Sequence, residues 1–325
     1  MPLAARRLAR ASAAFVGIGL LLYLLLLAGA EALVYRNGHS NPFFKIETLD
    51  RPSADWLILG TSHAMPLDFG GFGATMREAT GQTIVNLAAQ GTGPVYSRLV
   101  LRQYLRRHKA ANVLYVADAF AFQSRAWNED RFGDAKLLAR TPFDASLAAA
   151  LAGYVRTEGV SWRAWLDYVS GFSKINNRQR FELDAWEGEA QFERQWRASS
   201  TSVKKRIDYL YPDGAAADTQ ATQARYLAEL DRLLRDARAS GARVTVIQMP
   251  VPAVFRAQLP RQADFEAALA RTASLAGAEY HDYSASIDEP RFYFDSDHLG
   301  RTGVQMLFDR ELKPLLLAGR RGPQP

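Results

Sequence analysis

The sequence predicts an α/β fold, and three observations carry the prediction. Five short runs, 56–59, 83–86, 113–117, 244–249 and 279–282, are bounded by turn formers in the manner of strands in a parallel sheet. Stretches with helical periodicity separate most of them, and that alternation builds a parallel sheet covered by helices on both faces. The connections leaving the strands gather Ser62, Gly91, Asp118, Pro250 and Asp282 on one edge, where open α/β sheets place their chemistry. The expected architecture is a flavodoxin-like three-layer sandwich with a five-stranded parallel sheet, a helical insertion and one N-terminal transmembrane helix.

The N-terminal helix comes first in the chain. Arg6, Arg7 and Arg10 precede an uncharged run over 11–30, about twenty residues, which suffices to span a bilayer. From Leu20 to Leu27 the run is leucine except for Tyr23. The arginines predict a cytoplasmic N-terminus and an exported body. Ala28-Gly29-Ala30 also resembles a cleavage site, but the run is long for the apolar region of a signal peptide, which favours an uncleaved anchor. Residues 1–34 are thus read as the anchor, 35–54 as a linker, 55–318 as the α/β body and 319–325 as a tail.

Within the body, residues 65–80 are a glycine-bearing loop passing into a short helix. Helical periodicity follows over 95–108, where a basic end suits a helix C-terminus. Residues 219–239 form a strongly amphipathic helix, with Gly241 as its C-cap. Further helices are expected over 262–276 and 301–317. Residues 120–212 interrupt the alternation and hold five of the six tryptophans. They read as a mostly helical insertion over the active edge. Its tryptophans either bind sugar rings or form the insertion's own core.

Composition narrows the chemistry. The 325 residues are 48% hydrophobic, enough for one sizeable core. No cysteine is present, which excludes disulfides, thiolate metal sites and a cysteine nucleophile. The net charge of +6 includes the runs 106–109 and 204–206, read as solvated helix faces because no nucleic-acid motif surrounds them. An anionic glycan or lipid surface is the more economical partner for this charge.

Ser62 stands just beyond the first strand as a candidate nucleophile, which needs a base to take its proton. The competing role is to cap the helix that follows. Near the other end, Asp295 and His298 are three residues apart, so a loop entering a helix brings both to one side; the carboxylate then orients one imidazole nitrogen while the other faces the serine. Asp297 is the rival orienting acid, and the three-residue acidic segment is alternatively a helix cap. His63 reads as a pocket-lining or capping residue, His281 as structural, and His39 and His108 carry no signal. The backbone amide of Ser62 is one candidate oxyanion donor.

Gly60-Thr61-Ser62 after the first strand, paired with Asp295-x-x-His298-Leu299-Gly300, resembles the SGNH (GDSL-like) hydrolase superfamily over about 55–118 and 244–317. Asn86-x-x-x-x-Gly91 is similar to that family's second block, which implies the Gly91 amide as another oxyanion donor. The family's third block supplies an asparagine, whereas this chain has Asp118, so the resemblance leaves a two-donor hole or a donor such as Gln123. Asp118, Gln123, His63 and Trp127 are the candidate substrate-binding residues. The single anchor, Gly60-Thr61-Ser62 and Asp295-x-x-His298-Leu299-Gly300 together resemble the membrane-anchored extracytoplasmic branch, which includes alginate O-acetylation proteins and the teichoic acid D-alanyl transfer protein. The resemblance implies acyl transfer to a polysaccharide acceptor beside a membrane-bound O-acyltransferase, at the bacterial inner membrane with the body periplasmic, and no metal or cofactor. An esterase using water, or a non-catalytic glycan-binding subunit, are the alternatives.

Overall fold

The computed structural model of the chain describes residues 3–212 and 219–319; of the expected tail, residues 320–325 lie outside the described residues. Five parallel strands form one sheet: β1 (Ser53–Gly60), β2 (Ile84–Asn86), β3 (Lys109–Val116), β4 (Arg243–Gln248) and β5 (Glu279–Asp282), in the order β2-β1-β3-β4-β5. The helices are α1 (Leu3–Asn37), α2 (Pro42–Thr48), α3 (Phe72–Thr80), α4 (Pro94–Arg107), α5 (Ala135–Leu138), α6 (Ala145–Thr157), α7 (Trp162–Ser170), α8 (Phe172–Asn176), α9 (Ser200–Leu210), α10 (Thr219–Ala239), α11 (Ala253–Arg256), α12 (Gln262–Leu275), α13 (Arg301–Leu307) and α14 (Lys313–Ala318).

Alternation along the strands fills two helical layers. Leu57 and Leu59 of β1, Val113 and Tyr115 of β3, and Val244 and Val246 of β4 point to the layer containing α4, α10 and α12. Trp56 and Ile58, Leu114 and Val116, and Ile247 point to the other layer, against Phe72, Met76, Val304 and Leu307. A strand whose two faces are both covered needs apolar residues at consecutive positions, which is why these runs do not alternate with polar residues. Each such side chain, fully buried, contributes about 1.5–3 kcal/mol of transfer free energy.

Two segments depart from the sequence expectation. The stretch read as a linker contains α2: Asn41 caps it by accepting from the amides of Phe43 (2.9 Å) and Phe44 (3.1 Å), Pro42 occupies its first turn, and Phe43 and Ile46 enter the core. The insertion does not form a separate core. Phe132, Leu147, Leu151, Tyr154 and Tyr168 continue the layer that covers the sheet through α4 and α10. The last helix carries a π-helical segment, Phe308–Leu312, just ahead of Pro314, which has no amide proton to donate back along the helix.

In this strand order the direction of winding changes between β1 and β3, and a crevice opens beyond their carboxyl ends. The segment after β1 carries Ser62 and His63; the segment after β3 carries Asp118. Most of α1 lies outside the core; near its C-terminal end Ala30 and Val34 are buried. The helix is long and apolar enough to cross a membrane, and Phe15, Val16, Ile18 and the leucines at 20–22 and 24–26 are exposed.

Candidate active site

β1 ends at Gly60, which has φ 135° and lies so close to β3 that an added Cβ would stand 2.4 Å from the Val116 carbonyl oxygen. Only glycine combines that conformation with that approach. The chain then turns into a 3₁₀ segment, Ser62–Leu67, so Ser62 leaves the sheet at its carboxyl edge. Asn86, at the end of β2, donates from Nδ2 to the Ala64 carbonyl (2.8 Å) and fixes this turn.

From the far end of the chain, Asp295 and His298 arrive on the loop before α13. Asp295 Oδ1 accepts from the backbone amides of Asp297 (3.1 Å) and His298 (2.8 Å), which closes the loop around the carboxylate. His298 Nδ1 then lies 2.9 Å from Asp295 Oδ2, and His298 Nε2 lies 2.9 Å from Ser62 Oγ. Ser62 and His298 are both almost completely buried. This connectivity, hydroxyl to imidazole to carboxylate, is that of a Ser–His–Asp triad. With Nδ1–H donating to Asp295, Nε2 is left as the acceptor for the serine proton.

A second network lies beside the first. His63 directs Nδ1 at Asp118 and Nε2 at Asp297 (3.3 Å). Thr61 also donates to Asp118. Arg206, from α9 of the insertion, donates from Nε to both oxygens of Asp297 (3.0 Å each), and Ser296 donates to the same carboxylate (3.0 Å). Burial opposes a charge on His63, but Asp118 and then Asp297 outweigh it and push its pKa up to about 10. Burial likewise opposes ionisation of Asp297, yet Arg206 and His63 hold it well below the ordinary carboxylate range. The row therefore alternates in sign: Asp118, imidazolium, Asp297, guanidinium. Its ring lies 4.7 Å from that of His298, centroid to centroid. His63, Asp297 and His298 offer ligand atoms within 4.8 Å of one another, as a metal site does. A protonated His63 has no lone pair to give, however, and Arg206 already neutralises Asp297.

The remaining candidates take distinct places. Gly91 adopts φ 60°, and an added Cβ would meet the Trp127 ring at 3.1 Å. Trp127 is buried, donates from its indole nitrogen to the Leu210 carbonyl (2.9 Å) and packs edge-on against Phe120, so it supports the Gly91 turn from within. Gln123 is buried, and its Nε2 has no hydrogen-bond partner among the described residues. Asp118 accepts from Thr61 and His63 and anchors the second network.

Arg206 and Trp186 carry no sequence signal that marks them, and Asp297 has a wider role than the orienting one the sequence offers. Asp297, the rival orienting acid, lies farther from His298 Nδ1 (3.5 Å) than Asp295 does and also holds the second network. Arg206 was grouped with a solvated basic run, but it turns inward. Its neighbours Val203 and Leu210, three residues before and four after, are buried, and this spacing places Arg206 on the inner face of α9. His108, in the other basic run, is also buried, with its ring nitrogens on the carbonyls of Arg51 and Ile46. Trp186 packs edge-on against His298 at 4.8 Å and lines a cavity of about 210 Å³ that also includes Gln90, Arg131, Arg140 and Asn177. Nothing in its local sequence sets it apart from the other tryptophans of the insertion.

A parallel sheet of this order with a serine, histidine and aspartate at its carboxyl edge has the layout of a serine-nucleophile α/β protein. No protein-family description matches the chain, and no curated protein matches it. Solved structures similar to it include two from Bacteroides species. One is a proposed acylhydrolase from Bacteroides fragilis, at 10% identity and a TM-score of 0.44, covering 86% of this chain and 95% of that one. Another is a GDSL-like lipase from Bacteroides thetaiotaomicron, at 9% identity and a TM-score of 0.43, covering 85% and 95%. These likenesses are distant, and the chemistry rests on the chain's own residues.

Proposed function

We propose that the chain is a membrane-anchored serine acyltransferase that moves an acyl group, acetyl in the simplest case, to a hydroxyl of a cell-surface or exported polysaccharide. The observation that carries this is the pair of 2.9 Å contacts joining Ser62 to His298 and His298 to Asp295. As Ser62 Oγ forms its bond to the acyl carbon, His298 Nε2 takes the hydroxyl proton. Asp295 stabilises the imidazolium. The donor's C–O bond breaks, and His298 returns the proton to the leaving oxygen. In the second half a sugar hydroxyl gives its proton to His298 and attacks the acyl-Ser62 carbonyl, and Ser62 leaves reprotonated. The amides of Ser62 and Gly91 are assigned to the oxyanion, with the Gln123 side-chain amide as a third donor.

The polar cavity beside Trp186 supports a hydroxyl-rich acceptor, since one aromatic face among amide, guanidinium and carboxylate groups suits a sugar. The arginines at the start of α1 support a cytoplasmic N-terminus with the body on the other side, and the resemblance of the motifs supports a membrane-bound O-acyltransferase as acyl supplier. The test uses the purified full-length chain with a fluorophosphonate, the adduct being located by mass spectrometry. An adduct on Ser62 that disappears in His298→Ala is the expected result. An activated acetyl ester with and without polysaccharide then separates transfer from hydrolysis. An unmodified Ser62 in a folded chain would overturn the triad and leave a non-catalytic glycan-binding role.

A further inference from the structure

Helix α7 presents its apolar residues outward. Trp162, Leu166 and Val169 follow at the spacing i, i+4, i+7 and share one face; all three are exposed, as is Phe172 just beyond. Ala164 and Tyr168 face inward and are buried. A helix on the surface of a water-soluble body has the reverse arrangement outside, with charged groups toward solvent.

The end of α7 and α8 just after it are where the body grips α1. The Tyr23 hydroxyl donates to the Ser170 carbonyl at 2.9 Å. Gly171 lies so close to α1 that an added Cβ would stand 2.3 Å from Leu27 Cδ1. One turn further along α1, Glu31 pairs with the buried Lys174 and accepts from the Phe143 amide at 2.7 Å. The uncharged run of α1 ends at Ala30, and Tyr23 lies seven residues before it, about 10 Å at 1.5 Å per residue. If the run fills the hydrocarbon of a bilayer, Ser170 and the end of α7 are carried about 10 Å below its outer edge, the depth to which interfacial helices sink. At the edge itself, where a lone charge would be costly, Glu31 and Lys174 neutralise each other. Trp162 carries the Arg163 guanidinium over its ring at 5.8 Å, a pairing suited to the headgroup zone.

We infer that the exposed face of α7, with Phe172, is embedded in the outer leaflet of the membrane that α1 crosses. The catalytic body is then held at two adjoining places, by a span and by an amphipathic helix beside it, in a fixed attitude to the lipid surface. The inference rests on reading α1 as a membrane span and is independent of the triad.

The absence of cysteine allows a nitroxide to be attached at one chosen position of the full-length chain. Leu166→Cys and Val169→Cys are labelled in phosphatidylethanolamine/phosphatidylglycerol vesicles, with Leu21→Cys on α1 and Lys205→Cys on α9 as lipid and water references. All four positions are at the surface, so the core is untouched, and unchanged melting confirms this for each variant. Collision rates with oxygen and with a water-soluble nickel chelate give the environment. The expected result is a several-fold higher oxygen-to-nickel ratio at 166 and 169 than at 205, close to that at 21. Ratios at 166 and 169 equal to that at 205, with 21 in lipid, would overturn the embedding while leaving the span, and would assign the face to a protein partner. A water-like ratio at 21 as well would overturn the span and the embedding together.

Discussion

Replacing His63 by asparagine removes a buried cation from between two carboxylates. The imidazole is almost wholly enclosed, with Asp118 on one nitrogen, Asp297 on the other and the His298 ring alongside. Despite the burial that opposes charge, the carboxylates raise its pKa from 6.5 to about 10. At 1.36 kcal/mol per pKa unit this amounts to about 5 kcal/mol of folding free energy linked to that one proton. The folded state binds the proton more tightly than the unfolded chain. The contribution is therefore complete below about pH 6.5 and fades as pH rises through about 10. Between pH 7 and 9.5 the wild-type unfolding free energy should fall, relative to His63→Asn, by about 1.4 kcal/mol for each pH unit. At pH 7 the variant should be less stable by about 3–5 kcal/mol, because Asp118 and Asp297 lose their shared counter-charge. Urea unfolding of the full-length chain in detergent, followed by tryptophan fluorescence at half-unit pH steps, measures both. Parallel pH curves for the two proteins would refute the assignment of a charged His63.

Arg206→Gln should cost about 3–5 kcal/mol by stranding Asp297, and Asp297→Asn in the same chain should recover part of it; thermal melts of the three variants decide this. The low pKa of Asp297 adds stability that is present above about pH 4 and lost as pH falls through its folded value, so the acid limb of the melting profile should flatten in Asp297→Asn. Asp295→Asn should slow fluorophosphonate capture at Ser62 by about 10⁴-fold, with melting little changed, because the imidazole loses its fixed tautomer. Gly60→Ala should destabilise the body by about 3 kcal/mol or more, through φ strain and the Val116 carbonyl, as read by urea midpoints.

The sheet was legible because its strands are buried on both faces and so read as short apolar runs with glycine or polar ends. β5 was placed at its observed bounds although its residues are only partly covered, because a helix of clear periodicity precedes it. Asp295 and His298 could be paired because their contact is local, three residues apart. The relation of Ser62 to His298 crosses 236 positions and is legible only through the strand-edge rule together with the resemblance of the two motifs to a known family. The second network had no such rule to reveal it. Its members come from four separate segments, and His63 and Asp297 each stand next to a more conspicuous residue. α2 was missed because seven residues show too little periodicity, although Asn41-Pro42 is a capping signal in itself.

The crossover between β3 and β4 carries the whole insertion, and from it Arg206 reaches the carboxylate adjoining His298. The insertion is consequently not an exchangeable accessory. A chimera that keeps the sheet and the loop before α13 but trims this crossover to a short turn would inherit a buried anion with half its compensation gone. Recombination among related chains has to transmit the crossover and the histidine loop as one hereditary unit, although they lie some ninety residues apart.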